Sequence, residues 1–366
     1  AIFFNRDPDP YGRAMEDKIR KLGVAVYDFK DIALHERDEV LSATNDPYRV
    51  FTPYSRTWIK HPKVEARGRI KKLVTLATLK GKSLPELEDW KIKPSGATLP
   101  EAGEKAARKR LTDFLGKKIA DYGTQRNMLD DEGTSRISQD LRFGLISIRE
   151  VFARCNKLAN EVPAGPRSNI QKYITELIWR EFYMQILWHH PEVLEEEFNP
   201  RFRDMKWPGT IQNLKRWQDA ETGFPIIDAA MRELSQTGFM HNRARMIVAM
   251  FLTKDLHLDW RHGEKWFMQM LLDGEIASNN GGWQWSAGTG ADAAPYFRIQ
   301  NPWRQAATYD PDAAYVKRWL PELRDIPVKR LMEPAKETLV KGYPLPIVDH
   351  AEARERTLEM YSTARK

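Results

Sequence analysis

The most distinctive part of the sequence is the stretch Asn279-Asn280-Gly281-Gly282-Trp283-Gln284-Trp285, together with the run GTGADAAPYFRIQNP that follows it at residues 288–302. Two amides, paired glycines and two tryptophans within seven residues are more than packing alone requires. Glycines let a backbone approach a ligand closely. Two acids, Asp273 and Glu275, stand just before the stretch. We therefore interpret this part of the chain as the centre of a ligand site.

The composition is that of a basic globular protein. The chain has 366 residues, of which 42% are hydrophobic and 30% charged, and its net charge is +7. No apolar run is long enough to cross a bilayer, and the apolar residues 2–4 are too few for a signal peptide. The single cysteine, Cys155, excludes an internal disulfide and fits a reducing compartment. The positive charge suits a polyanionic partner.

Helical periodicity dominates from about Glu101 onward, and it predicts helices over 104–121, 168–188, 225–236, 242–255 and 263–272. Residues 2–5 and 24–29 read as strands around a helix at 9–22, which is one turn of an α/β layer and too little to be stable alone. Since the chain begins with Ala, we expect the front of this domain to be absent. Scattered Pro and Gly over 30–104 predict a long connection.

The predicted fold class is therefore mainly α. We expect a truncated α/β, Rossmann-like remnant at 1–65, a connecting segment at 66–104 and an all-helical domain at 105–366. That helical domain contains most of the 12 tryptophans, which packing in a helical core explains in large part.

Three further segments carry candidate site chemistry. Gly133–Ser138 places hydroxyls at a predicted helix start, where free N–H groups attract anions. Glu176, Trp179 and Arg180 share one helix face and could together bond, stack on and anchor a base. Met240–Met246 begins a helix with polar groups that need partners. In isolation, the first segment also fits an ordinary helix cap, the second a solvated Glu–Arg ion pair beside a core Trp, and the third a basic first turn.

Other site types find little support in the sequence. Gly288–Ala293 matches the dinucleotide fingerprint GxGxxA, but no strand pattern precedes it. The histidines show no ligand spacing with Cys, Asp or Glu, so no metal is expected. Hydrolase motifs such as GxSxG are missing from the sequence. A basic helical DNA-binding module without enzyme activity stays open, although the 279–285 stretch argues against it.

Taken together and in this order, these segments resemble the photolyase/cryptochrome family over about Asn5–Tyr361. The resemblance is closest to class I cyclobutane pyrimidine dimer photolyases, and its most specific part is the stretch quoted first. It implies a helical domain that holds FAD in a bent conformation, active in its reduced form. It also implies that the N-terminal piece is the tail of a domain for an antenna chromophore, whose binding residues are not recognisable around Tyr11-Gly12-Arg13.

The resemblance assigns roles to residues by position. Those implied to hold FAD are Tyr122, Thr134, Ser135, Arg136, Ile137, Ser138, Arg245, Asp273, Glu275 and Asn279. Glu275 stands where many members have Asp, so its contact is expected to be rearranged. Those implied to line the pocket for a flipped dimer are Glu176, Trp179, Asn242, Met246 and Trp285. Those implied to contact the DNA backbone are Arg126, Arg180, Arg243, Arg298 and Gln305. Those implied to carry electrons to the flavin are Trp207, Trp260 and Trp283.

The expected function is light-driven electron transfer from reduced FAD that splits cyclobutane pyrimidine dimers in DNA. Asn279, at the position facing flavin N5, resembles photolyases rather than cryptochromes. Asn242 and Met246 stand where enzymes for (6-4) photoproducts carry His. The alternative is a cryptochrome-type photoreceptor without repair activity. We expect a cytoplasmic, bacterial-type monomer that acts on DNA.

Overall fold

A computed structural model describes residues 1–68, 72, 81–93 and 96–364 of the chain. Short 3-10 turns join several helices, and a π-helical segment, Phe251–Asp255, follows α10 directly. In chain order the strands and α-helices are β1 Ile2–Asn5, α1 Pro10–Arg20, β2 Val26–Phe29, α2 Phe51–Lys60, α3 Glu104–Lys117, α4 Tyr122–Gln125, α5 Ser138–Arg142, α6 Ile148–Glu161, α7 Ala164–His189, α8 Ile211–Gln218, α9 Pro225–Thr237, α10 Asn242–Met250, α11 Trp260–Met270, α12 Ile276–Ala287, α13 Pro302–Tyr309, α14 Ala314–Trp319, α15 Val328–Leu331 and α16 His350–Ala364.

The predicted architecture, a helical body preceded by a small α/β piece, is confirmed. Strands β1 and β2 pair in parallel, with Ile2 opposite Val26, and they form the only sheet in the described part of the chain. Helix α1 connects them and is capped by Asp9, whose carboxylate accepts the N–H of Gly12 at 2.8 Å. The domain boundaries at 65 and 104 stay predictions, and part of the predicted connecting segment lies outside the described residues.

Helix α2 lies within the stretch that was predicted to be a connection. Pro53 is its third residue, in the first turn, where a missing N–H costs nothing. The helix buries Phe51, Tyr54 and Trp58 against the helical body. This buried apolar face, rather than local propensity, accounts for a helix that the scattered prolines obscured.

A buried carboxylate joins this N-terminal part of the chain to α7. Glu181 is 1% exposed, and it accepts the backbone N–H of Leu34 at 2.5 Å and that of His35 at 3.1 Å. It also accepts the indole N–H of Trp58 at 2.5 Å. Burial raises the pKa of Glu181, and the three donors oppose that rise. One side chain therefore satisfies donors from two segments more than 120 residues away.

Helix α12 contains the stretch that opened the sequence analysis, for which no helix was predicted. Its paired glycines cost helix propensity, yet packing requires one of them. A Cβ at Gly281 would overlap the ring of Tyr183 on α7. The helix ends at Gly288, whose φ of 82° is left-handed. The GxGxxA match is therefore a helix end, in agreement with its rejection as a Rossmann site.

No helix in the described ranges combines the length and the apolar character needed to cross a membrane.

Candidate functional site

The start of α12 carries two of the predicted site residues, Glu275 at the N-cap and Asn279 in the first turn, and Gly282 follows them. Glu275 caps the helix, because its carboxylate accepts the N–H of Ala277 at 3.0 Å and that of Ser278 at 2.9 Å. The Glu275 carboxylate, whose contact with the flavin was expected to be rearranged, serves as a helix cap in the structure. Beside Gly282, no atom lies within 4 Å of the point where a Cβ would stand. The helix surface at Gly282 is thus flat and open enough for a planar group to approach the backbone.

Asn279 is held by the neighbouring helix α11. Its amide nitrogen donates to the backbone carbonyl oxygen of Glu264 at 2.9 Å. The amide nitrogen of Asn280 donates to the carboxylate of the same Glu264 at 3.2 Å. Burial raises the pKa of Glu264 to about 7, against the lowering effect of the Asn280 hydrogen bond. Glu264 was not identified from the sequence, because nothing local distinguishes it from a surface glutamate.

The predicted phosphate-binding residues lie around an ion pair and a stacked cation. Arg245 donates to both carboxylate oxygens of Asp273, at 3.0 and 2.9 Å. The guanidinium of Arg136 lies 3.4 Å from the ring centre of Phe239, and no hydrogen-bond or ion-pair partner for it occurs among the described residues. The hydroxyl of Ser135 accepts from that of Tyr173 at 3.1 Å. This end of the site therefore offers an unpaired cation beside hydroxyl groups.

These residues fit the FAD that the resemblance implies. The free guanidinium of Arg136 and the hydroxyls of Thr134, Ser135 and Ser138 suit phosphate oxygens. The open surface at Gly282 suits an aromatic ring. Tyr122 and Ile137, also predicted to hold FAD, are buried in the adjacent core. Among the described residues, no group of three His, Cys, Asp or Glu side chains could hold a metal ion.

A second polar group surrounds Glu176 on α7. Its carboxylate pairs with Arg126 at 2.5 Å, across 50 residues of sequence. This pair unites a predicted pocket residue with a predicted DNA contact. Both side chains are partly exposed, and Arg126 also lies 5.3 Å from the ring centre of Tyr122.

The start of α10 supplies Asn242, Arg243 and Met246. The Asn242 amide lies 3.9 Å from the sulfur of Met246, and the Arg243 guanidinium lies 3.7 Å from the same sulfur. Arg243 also donates to the side-chain oxygen of Asn127 at 2.6 Å and lies over the ring of Tyr309. His241 caps the helix, and burial lowers its pKa to about 4, so the cap is neutral.

The other predicted DNA contacts differ in their surroundings. Arg298 is exposed, and Gln305 is half-buried on α13. Arg180 donates to the backbone carbonyl oxygen of Ile32 at 2.7 Å, and with Glu275 it lines a cleft of about 260 Å³ beside Asp7, Asp9 and Arg142. In this structure Arg180 holds the N-terminal segment, and its contact with DNA stays a prediction.

The three tryptophans predicted to carry electrons show graded burial. Trp283 and Trp260 are 2% and 0% exposed, whereas Trp207 is half-buried. The ring of Trp283 lies against Gly263, one turn after Trp260 on α11, so closely that a Cβ at Gly263 would overlap it. Trp207 packs beside Phe202, Met205 and Tyr361. Two of the three rings are therefore buried and one reaches the surface, and their role in electron transfer stays a prediction.

The remaining predicted pocket residues are the two tryptophans Trp179 and Trp285. Trp179, on α7, packs against the rings of Phe51 and Phe182. Trp285 is half-buried on α12, and its carbonyl oxygen accepts the N–H of Ala294 at 3.2 Å. Phe51 was not identified from the sequence, since 128 residues separate it from Trp179.

Comparison with known proteins matches nearly the whole chain. The family model for the FAD binding domain of DNA photolyase matches residues 173–363, and the model for DNA photolyase matches residues 1–71. A deoxyribodipyrimidine photo-lyase of Synechococcus sp. is 40% identical over 99% of this chain and 78% of its own length.

Solved structures agree with this match. A class III photolyase from Agrobacterium tumefaciens aligns with a TM-score of 0.90 and 37% identity, over 99% of this chain and 79% of its own. A Synechocystis sp. cryptochrome aligns with a TM-score of 0.85 and 26% identity, over 97% of this chain and 78% of its own.

Proposed function

Because the chain belongs to the DNA photolyase family, we propose that it is a deoxyribodipyrimidine photo-lyase that splits cyclobutane pyrimidine dimers in DNA by light-driven electron transfer. The observation that carries the proposal is the pairing of Glu176 on α7 with Arg126, the residue after α4. The next residue, Asn127, accepts a hydrogen bond from Arg243 at the start of α10, which also carries Asn242 and Met246. These side chains supply a carboxylate, two guanidiniums, an amide and a thioether. The carboxylate, amide and thioether could contact bases, and the guanidiniums could contact backbone phosphates.

Reduced FAD, when bound, would supply the light-driven electron transfer that splits the dimer. Asp273, Arg245, Asn279 and the 134–138 segment would hold FAD. The Arg245–Asp273 ion pair ties the first turn of α10 to the segment between α11 and α12. Asn279, fixed by the Glu264 carbonyl oxygen, presents its free amide oxygen as an acceptor.

The pocket residues receive the flipped dimer. Flipping costs least for a base pair that is already distorted, a rule for which photolyases are themselves a standing example. Trp179 and Trp285 form the walls, while Glu176 bonds a pyrimidine edge. Arg126, Arg243 and Arg298 neutralise phosphates, so affinity for DNA should fall as salt rises. The partner is dimer-containing DNA, and the protein acts as a cytoplasmic monomer.

Placement nearest the class I enzymes stays a prediction, since a class III photolyase is among the similar structures.

An absorbance spectrum of the purified protein, followed by a repair assay on dimer-containing DNA in blue light, tests the proposal. Flavin absorbance with light-dependent loss of dimers supports it. Flavin absorbance without repair would support a cryptochrome-type photoreceptor instead.

Glu176→Ala is expected to lower the repair yield per absorbed photon while flavin content stays unchanged. Removal of the carboxylate deletes a charge-assisted hydrogen bond to the dimer, worth about 1.5–3 kcal/mol, so binding to damaged DNA should weaken at least tenfold. Glu176→Gln keeps the shape and is the control, with a smaller loss. An unchanged quantum yield in both variants would remove Glu176 from the mechanism.

Asn279→Asp is expected to make the reduced flavin harder to reach. A carboxylate at 279 adds negative charge near an anionic reduced cofactor, and it also faces the Glu264 carbonyl oxygen to which Asn279 now donates. Potentiometry of the bound flavin measures the effect as a lower midpoint potential. Asn279→Ala removes the amide without adding charge and should shift the potential less. If the midpoint potential of the bound flavin is unchanged in Asn279→Asp, Asn279 does not face the flavin ring.

A further inference from the structure

One face of Trp179 is covered by a residue from outside the helical body. The rings of Trp179 and Phe51 are parallel, 3° apart, with their centres separated by 3.6 Å. Phe51, the first residue of α2, is 8% exposed, whereas Trp179 is half-buried. Phe182 meets both rings edge-on, at 5.8 and 5.6 Å. Tyr183 packs against the indole at a tilt of 33°, with ring centres 5.6 Å apart, so Phe51 is the ring that stacks in parallel on it.

The position of Phe51 is fixed in turn by the loop after α12. The backbone N–H of Phe51 donates to the carboxylate of Asp292 at 3.3 Å. The negative charge of this carboxylate also interacts favourably with the positive end of the α2 dipole. Asp292 has a φ of 46°, in the left-handed region that Asp adopts more readily than most residues. A chain of contacts therefore runs from the 288–298 loop through α2 to Trp179 on α7.

We propose that Phe51 and Asp292 are positioning residues, which hold the Trp179 ring in the orientation that receives a flipped dimer and so set discrimination between damaged and undamaged DNA. The inference rests on the proposed function, in which Trp179 is a pocket wall. A half-exposed indole must lose side-chain freedom on binding unless it is already fixed, and fixing it beforehand lowers that cost. Undamaged DNA keeps its bases stacked and does not contact the Trp179 ring, so a fixed ring does not strengthen its binding.

The test measures the ratio of dissociation constants for undamaged and dimer-containing DNA, in the dark, on flavin-loaded protein. Phe51→Leu is expected to lower this ratio about threefold to tenfold, the range that one aromatic pair contributes. Binding to undamaged DNA and its salt dependence should not change. Asp292→Ala should lower the ratio in the same direction, and Asp292→Asn, which retains an acceptor oxygen, should restore most of it.

Tyr54→Leu is the matched control, because Tyr54 is a buried aromatic on the same helix that contacts Phe182 and Tyr48. It should reduce stability while leaving the ratio intact. Equal loss of the ratio in Phe51→Leu and Tyr54→Leu, or an unchanged ratio in Asp292→Ala, overturns the inference. If the unmodified protein itself shows no preference for damaged DNA, the proposed function fails, and this inference fails with it.

Discussion

Glu181→Ala is expected to destabilise the protein by at least about 3 kcal/mol. The substitution leaves three buried donors without their acceptor: the backbone N–H groups of Leu34 and His35 and the indole N–H of Trp58. Each unsatisfied buried donor costs about 1–3 kcal/mol. Since a folded domain is stable by only about 5–15 kcal/mol, this is a large fraction. Thermal and denaturant unfolding measure the loss.

Two controls separate this effect from a general loss of charge. Glu181→Gln keeps the shape and one acceptor oxygen, so its cost should be smaller. Glu161→Ala removes an exposed glutamate from the end of α6 and should change stability by less than about 0.5 kcal/mol. Residues 1–60 should also become more sensitive to protease in Glu181→Ala, because Glu181 ties them to α7. Equal stability of Glu181→Ala and Glu161→Ala would contradict the assigned role.

The helices that the sequence predicted well are those whose apolar residues follow one face. The predicted 225–236 helix, for example, is observed as Pro225–Thr237, with proline in its first turn and Gly238 in the left-handed conformation at its end. Helices α2 and α12 depend instead on distant partners. Gly281 and Gly282 disfavour a helix locally, but the Tyr183 ring fits only against a glycine. A local pattern cannot report such a contact, so no helix was predicted there.

The site was predictable where residues close in sequence share one role, and less so where contacts span the chain. Asp273 and Asn279 stand out by composition alone, and the structure places Asp273 just before α12 and Asn279 in its first turn. The Glu176–Arg126 pair joins positions 50 residues apart, and the Phe51–Trp179 stack joins positions 128 residues apart. Glu275 has a local role that the sequence analysis did not identify, since its carboxylate caps α12.

Trp207→Phe is expected to abolish light-driven reduction of oxidised FAD while sparing repair by enzyme that has first been reduced chemically. Trp283 and Trp260 are both buried, whereas the ring of Trp207 is half-exposed, as the surface end of an electron path would be. Phe keeps most of the packing against Phe202 and Met205 but is far harder to oxidise than Trp. The flavin absorbance under blue light with an external reductant, beside a repair assay on dithionite-reduced enzyme, measures both functions.

Trp266→Phe provides a control of the same chemistry, because Trp266 is also half-buried and packs against the same core cluster as Trp207. If these tryptophans serve only the core, both substitutions should cost similar stability and neither should separate photoreduction from repair. If Trp207 is the surface end of the electron path, only Trp207→Phe should stop photoreduction, with fold, flavin content and repair retained. Normal photoreduction in Trp207→Phe would mean that the electron reaches the flavin by another route.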